Sequence, residues 1–156
     1  MTVKQIMINT FTIAVAAVLL SACATYTIPR EQLYSMLKNA TPDTVTTKHA
    51  ATGTIGITGA MYTGDKYLSN GVKTIACYDK QGSEVTFANS PKVEMRITTN
   101  NGRKHIFYFD SVILQDSTFR GYNSRIFRTK ISVKYADIKK VEVQKGAKAY
   151  YYAGSK

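Results

Sequence analysis

Residues 92–98 alternate apolar and polar side chains without a break, and this period of two constrains the fold more than any other feature of the chain. A half-buried strand needs such a pattern, because successive side chains point to opposite faces of a sheet. The buried face would carry Val93, Met95 and Ile97. Asn100, Asn101 and Gly102 follow, and these residue types tolerate the backbone of a tight turn. Residues 104–109 would return as the second strand of an antiparallel hairpin.

Further strands are predicted on both sides of this hairpin. Residues 129–135 alternate in the same way, with Ile131, Val133 and Tyr135 on one face, and Val141 and Val143 continue the pattern. Residues 54–58, 72–78 and 84–88 are the earlier candidates. The segments expected to divide them are Gly64 with Asp65, Ser69 to Gly71, and Lys80 to Gly82.

Six or seven short strands separated by turns are typical of a small antiparallel barrel or sandwich. Residues 111–143 also resemble small SH3-like barrels, in which a strand leads through a polar turn to a glycine and then to two more strands. This resemblance implies the same architecture and no site residue. We therefore expect a mainly β domain with one N-terminal helix.

The expected helix covers residues 30–40. Its apolar positions follow the spacing of one helical face: Leu33, Met36, Leu37 and Ala40. Thr27 or Ile28 would cap it, Pro29 suits its first turn, and Thr41 with Pro42 would end it. The apolar face is expected to pack on the β-domain, and the alternative is a surface that binds a partner.

The first 22 residues have a different character. Lys4 is the only charged side chain before Arg30, and residues 11–20 are apolar apart from Thr12. A positive start, a short apolar stretch and small residues after it form the pattern of an export signal. A membrane-spanning helix needs about 20 apolar residues. Reaching that length here would include Asn9, Thr10 and Ser21, so a cleaved leader is favoured over a span.

The leader ends in Leu20, Ser21, Ala22 and Cys23, and this order resembles the lipobox of bacterial lipoproteins. The resemblance implies that residues 1–22 are a cleaved signal peptide. It also implies that Cys23 carries lipid on its thiol and on the new amino terminus. The alternative is a plain signal peptide cut elsewhere, which would make Cys23 incidental.

The same resemblance implies a location in the cell. Ala24 stands where an aspartate would favour the inner membrane, and residues 24–30 lack an acidic cluster that would direct the protein to the cell exterior. We therefore expect a protein of the cell envelope, anchored in the outer membrane and facing the periplasm. Residues 23–41 would form the lipidated N-terminus and the helix, and residues 42–156 a single β-rich domain. The five residues 24–28 reach at most about 18 Å, which would hold the domain close to the bilayer.

Cysteine and histidine usage gives little support to catalysis or metal binding. With Cys23 assigned to lipid, Cys77 is the remaining thiol, and its strand-like neighbours favour burial. His49 and His105 have no partner at a metal-ligand spacing. No pair of carboxylates stands in a glycosidase or protease context.

Gly53, Gly56 and Gly59 are spaced three apart, which matches neither nucleotide-binding glycine pattern. We therefore predict a non-enzymatic protein with no cofactor and no metal. Its role would be that of a structural or binding accessory in the envelope. The alternative is an envelope enzyme or a thiol-based sensor that uses Cys77.

The positive charge is concentrated in the second half of the chain. The net charge is +11, and residues 91–156 carry 14 Lys and Arg against five Asp and Glu, whereas residues 23–90 carry six against five. Candidate contacts with an anionic surface are Arg120, Arg125, Arg128, Lys130, Lys134, Lys139 and Lys140. A basic half with aromatics can indicate nucleic acid, but a protein anchored in the envelope meets little of it.

The expected partners are therefore membrane lipid through acylated Cys23 and an anionic membrane surface, an anionic polymer or an acidic protein of the envelope. The other interpretation of the charge is a solvated strand face whose lysines protect sheet edges. Tyr150, Tyr151 and Tyr152 are expected to cover an open end of the barrel. The alternatives are that these tyrosines contact a membrane interface or that they pair with the sheet edge of a partner.

Overall fold

The computed structural model of this protein describes residues 24–50, 61–125, 127–148 and 150–154. These residues form one helix and twelve strands: β1 Thr25–Ile28, α1 Arg30–Asn39, β2 Asp43–Ala50, β3 Met61–Ser69, β4 Thr74–Tyr78, β5 Glu84–Ala88, β6 Val93–Thr99, β7 Lys104–Tyr108, β8 Ile113–Gln115, β9 Thr118–Tyr122, β10 Lys130–Lys134, β11 Ile138–Lys145 and β12 Tyr150–Tyr152. Short 3-10 turns lie at Phe109–Ser111 and Tyr135–Asp137. The prediction of a mainly β domain with one N-terminal helix is confirmed.

The described strands form three antiparallel sheets. The largest has six strands in the order β5-β4-β1-β11-β6-β7 and curls into a half-barrel. Two three-stranded sheets, β10-β9-β8 and β12-β2-β3, complete the architecture. This arrangement agrees with the expected class of small barrels and sandwiches.

Strand β1, which the sequence pattern did not predict, lies in the middle of the six-stranded sheet. Thr25 pairs with Gln144 and Ile28 with Val141 on one side, and Thr27 pairs with Tyr78 on the other. Four of the five residues 24–28 are therefore held in the sheet, which agrees with the expectation that no long connection follows position 23. Only Ala24 lies between position 23 and β1.

The strand register defines two ends of this sheet. Thr25 is level with Gln144, and Gln144 pairs with Glu94, which pairs with Tyr108; we call this edge the Thr25 end. Thr99 pairs with Ile138 at the opposite edge, which we call the Thr99 end. At about 3.4 Å per residue, β6 separates the two ends by about 17 Å from Glu94 to Thr99.

The predicted apolar faces form the core. The alternating residues of β6 are completely buried on the inner face of the sheet: Val93, Met95 and Ile97. Helix α1 buries Leu33 and Leu37 against this core, with Met36 and Ala40 partly buried beside them, so the packing interpretation of its apolar face is confirmed. The N-cap position is Pro29 itself, one residue later than the expected cap.

Most predicted strands are present, and one predicted divider is wrong. Residues 72–78, 84–88, 92–98, 104–109 and 129–135 correspond to β4, β5, β6, β7 and β10, and Val141 and Val143 lie in β11. Gly64 and Asp65 do not end a strand but lie within β3, which pairs with β2. Tyr150–Tyr152 is strand β12 and pairs with β2. The predicted strand 54–58 and the leader with Cys23 lie outside the described residues.

Candidate anion-binding cleft

An open polar cleft of about 580 Å³ lies at the Thr99 end of the domain. One wall is the turn between β6 and β7, and the other is the outer face of β9 and β10. The lining residues are Thr99, Asn100, Asn101, Arg103, His105, Thr118, Arg120, Ser132, Val133, Lys134 and Asp137. We call this feature the basic cleft, because it is lined by three basic side chains and one carboxyl side chain.

The three cations of the cleft come from both walls. Arg103 follows the β6–β7 turn, whereas Arg120 and Lys134 project from the exposed faces of β9 and β10. Arg120 Nη1 donates a hydrogen bond to Gln115 Oε1 at 3.1 Å. Because Gln115 is neutral, this bond does not compensate the charge of Arg120. Within the described part of the chain, none of the three side chains forms an ion pair. Such a set attracts phosphate or carboxylate groups, the anions that Arg and Lys bind best.

Hydrogen bonds hold the turn that carries Arg103. Asn101 Oδ1 accepts from Thr99 Oγ1 at 2.7 Å and from Arg103 N at 3.1 Å. Asn100 is tied to the neighbouring 3-10 turn, since its backbone N donates to Asp137 O at 2.8 Å and its Nδ2 to Ala136 O at 3.1 Å. Gly102 adopts φ +81°, which suits the tight turn that the sequence predicted. The wall of the cleft is therefore fixed before any ligand arrives.

The seven basic residues singled out by the sequence do not form one surface. Arg120 and Lys134 meet in the basic cleft, and Lys130 stands at the other end of β10. Arg128 Nη2 donates to Lys66 O at 3.0 Å, which places it beside β3. Lys139 and Lys140 are exposed on β11, where Lys140 Nζ lies 2.7 Å from Glu142 Oε1.

Arg125 is the exception, because it is buried in an ion pair. Its Nη2 lies 2.6 Å from Asp110 Oδ1, and the two side chains are 7% and 0% exposed. The same Nη2 donates to Pro91 O at 2.9 Å. Arg125 is therefore unavailable to an outside anion, and its Nε, which is also buried, has no hydrogen-bond partner in the described structure.

Aromatic residues enclose this pair. The hydroxyls of Tyr67 and Tyr152 both donate to Asp110 Oδ2, the second at 3.0 Å. The guanidinium carbon of Arg125 lies 4.2 Å from the ring centre of Tyr108, 5.1 Å from that of Tyr67 and 5.5 Å from that of Tyr150, which are cation–π distances. We call these six residues the Asp110 cluster. It joins β3, β7, β12 and the chain after β9, so its primary effect is to fasten the sheets together.

Ionisation in the Asp110 cluster fits that structural role. Burial, together with the Asp110 carboxylate, raises the pKa of Tyr67 and of Tyr152, so both remain proton donors. Burial by itself would lower the pKa of Arg125, but Asp110 and Tyr67 outweigh it and the net shift is upward. Tyr67, Tyr152 and Arg125 therefore keep their protons across the ordinary pH range.

Cys77 lies within the core, as its neighbours predicted. Its side chain is 0% exposed and its Sγ lies 3.3 Å from Val85 O. Burial raises the pKa of the thiol, which lowers the fraction of reactive thiolate. A thiol with this environment is a poor nucleophile and a poor sensor, so the geometry gives no support to the alternative based on Cys77.

The two histidines lie in different sheets. His105 pairs with Ile97 and lines the basic cleft, whereas His49 pairs with Tyr62 and Tyr150 in another sheet. Among the described residues, no group of three His, Cys, Asp or Glu side chains could hold a metal ion. In the same part of the chain, no helix has the length and apolar character needed to cross a membrane. The triplet Gly53, Gly56 and Gly59 falls outside it.

Sequence reasoning did not assign Arg103 or His105 to a binding site, and it did not bring the residues of the Asp110 cluster together. Arg103 and His105 belong to the predicted hairpin, and only the packing of β7 beside β9 brings them to Arg120. No protein-family model matches this chain, and the searches found no similar protein among the curated sequences or the solved structures.

Proposed function

We propose that this protein is a lipid-anchored, periplasm-facing accessory of the bacterial outer membrane that uses the basic cleft to bind an anionic envelope partner. In this proposal Cys23 carries the lipid and the folded domain binds without catalysis. The observation that supports it best is the set of three cations in the cleft, which lack a carboxylate partner among the described residues.

The position of the cleft favours a polymer or a protein over the anchoring membrane as its partner. The chain enters the sheet at Thr25, whereas the cleft lies at the Thr99 end, about 17 Å along β6. A lipid attached at position 23 would hold the Thr25 end at the bilayer, because only Ala24 intervenes. The cleft would then point into the periplasm, farther from the lipid headgroups than the Debye length of about 8 Å.

The anchor is tested by replacing Cys23. We expect the native chain to incorporate labelled fatty acid and to fractionate with the outer membrane. The substitution Cys23→Ser should abolish both, because the lipid is attached through the thiol that serine lacks. Cys77→Ala is the matched control: it removes the other cysteine, which is buried, and should change neither readout. The anchor is contradicted if the native chain takes up no label. It is also contradicted if Cys23→Ser keeps the label and Cys77→Ala loses it.

The cleft is tested by removing its charges. Arg120→Gln and Lys134→Gln should each weaken binding of a fluorescent polyglutamate or polyphosphate probe about 2–5-fold, since exposed charge pairs contribute up to about 1 kcal/mol each. Binding is measured by anisotropy on the full chain in neutral detergent. It should also weaken as salt is raised, because exposed charges are screened.

Lys80→Gln is the control for this experiment. Lys80 is exposed in the turn between β4 and β5, outside both the cleft and the β9–β10 connection. The control variant removes the same net charge as Lys134→Gln, so an effect of the total charge would appear equally in both variants. Equal losses from Lys80→Gln and Lys134→Gln, or binding that ignores salt, would refute the cleft as the binding site.

A further inference from the structure

The loop between β9 and β10 exposes a phenylalanine almost completely. Phe127 is 83% exposed, whereas Phe107, Phe109 and Phe119 are fully buried. Single exposed apolar residues are common on protein surfaces and by themselves indicate nothing. The structure around Phe127, its position in the domain and the charges beside it distinguish this residue from an ordinary surface side chain.

The loop that presents Phe127 is held by hydrogen bonds. Phe127 N donates to Ser124 Oγ and Arg128 N to Ser124 O, each at 3.1 Å, and Asn123 N donates to Thr129 O at 3.2 Å. Arg128 adopts φ +48°, a left-handed conformation that non-glycine residues seldom take. The buried Arg125 fastens the loop to the Asp110 cluster. The exposure of Phe127 is therefore a feature of a structured turn.

The loop lies at the Thr25 end of the domain. Arg125 reaches Pro91 O, just before β6 begins, and stacks on Tyr108, which is level with Thr25 across the sheet. Tyr122 and Lys130, which pair next to the loop, are likewise the ends of β9 and β10 far from the basic cleft. The loop is thus at the same end as Ala24, the residue after Cys23.

Exposed basic side chains lie close to Phe127 along the chain. Arg128 and Lys130 follow it, and Arg128 Nη2 donates to the backbone O of Lys66, whose side chain is exposed as well. An exposed apolar ring followed by basic residues is a combination that favours the interface of an anionic membrane.

We propose that the β9–β10 loop is a second membrane contact, in which Phe127 enters the headgroup region and Arg128, Lys130 and Lys66 face lipid phosphates. This inference rests on the proposed anchor at Cys23, because the anchor brings the Thr25 end to the bilayer. Two contacts at one end fix the tilt of the domain, which a single flexible lipid attachment does not. The basic cleft is then held facing away from the membrane.

Tryptophan fluorescence tests this contact. The chain contains no tryptophan, so Phe127→Trp introduces a single reporter at the tip of the loop. With the acylated full chain in vesicles that contain phosphatidylglycerol, its emission should shift to shorter wavelength. Brominated lipids should quench it, and acrylamide quenching should fall several-fold relative to the control. Ile106→Trp is the matched control, because Ile106 is 46% exposed on β7 and outside the loop.

The outcomes separate this inference from the anchor. If the protein is acylated but the Phe127→Trp and Ile106→Trp reporters respond alike, the anchor stands and the loop contact is overturned. If Cys23 carries no lipid, the anchor fails, and the same reporters are read after the unacylated chain is added to the vesicles. A blue shift confined to Phe127→Trp would then still support the contact, and its absence would overturn it.

Discussion

Replacing Asp110 with asparagine is expected to lower the free energy of unfolding by about 3–5 kcal/mol, because the change leaves the buried guanidinium of Arg125 without its counter-charge. Asp110 is 0% exposed and accepts from Arg125, Tyr67 and Tyr152. An amide in its place cannot accept at every one of these positions, so at least one buried donor also loses its partner. Urea unfolding of the full chain, followed by circular dichroism, measures the loss.

Two further variants show whether burial is the cause. Lys140→Met breaks the pair with Glu142, in which the lysine side chain is 51% exposed, and should cost no more than about 1 kcal/mol. The double substitution Asp110→Leu with Arg125→Met removes both buried charges and should be less harmful than Asp110→Asn alone. A loss below about 1 kcal/mol for Asp110→Asn would mean that water reaches the pair.

Gly71→Ala should destabilise the domain by roughly 3 kcal/mol or more. Gly71 has φ +73°, and a Cβ built on it would lie 1.8 Å from Thr41 O, an atom of the backbone just after α1. The left-handed conformation costs an alanine about 1–2 kcal/mol, and a forced displacement of the packed backbone adds about 1–3 kcal/mol. The connection between α1 and β2 would have to move away from the connection between β3 and β4.

Gly82→Ala separates the two contributions. Gly82 has φ +84°, so its conformational cost is similar, but no atom lies within 4 Å of the added Cβ. This variant should lose only about 1–2 kcal/mol in the same unfolding experiment. The difference between the two glycines measures the close approach to Thr41. Equal losses would show that this approach relaxes without cost.

The sequence predicts those strands whose two faces meet different surroundings. Strands β6 and β10 alternate because one side contacts the core and the other contacts water, and the inner residues Met95 and Val133 are buried accordingly. Strand β1 is too short for a period to be recognised, and its partner β11 comes near the other end of the chain. Strands β2 and β3 form a separate small sheet with few apolar positions, so their pairing is decided by contacts rather than by local pattern.

Of the candidate site, the sequence predicted only that basic residues are concentrated in the second half of the chain. Arg120 and Lys134 belong to the basic half of the chain. Their side chains face outward on β9 and β10, and of these two strands the sequence pattern predicted only β10. The sequence does not distinguish Arg125 from them, because its burial depends on Asp110, Tyr67 and Tyr152, which come from distant parts of the chain. Such a cluster exists only once the sheets have packed together.

The central position of β1 also determines when the domain can fold. The six-stranded sheet divides into β5-β4-β1 and β11-β6-β7, and the β1–β11 ladder is the seam between the two halves. One side of that seam is Thr25–Ile28, and the other is Ile138–Lys145, so a chain that emerges N-terminus first cannot join the halves until β11 is available. Pairing of segments so far apart in sequence is slow, because a long loop must close first. The sheet should therefore assemble late and cooperatively, because β1 cannot pair on both sides until β11, the last strand of its sheet, is available.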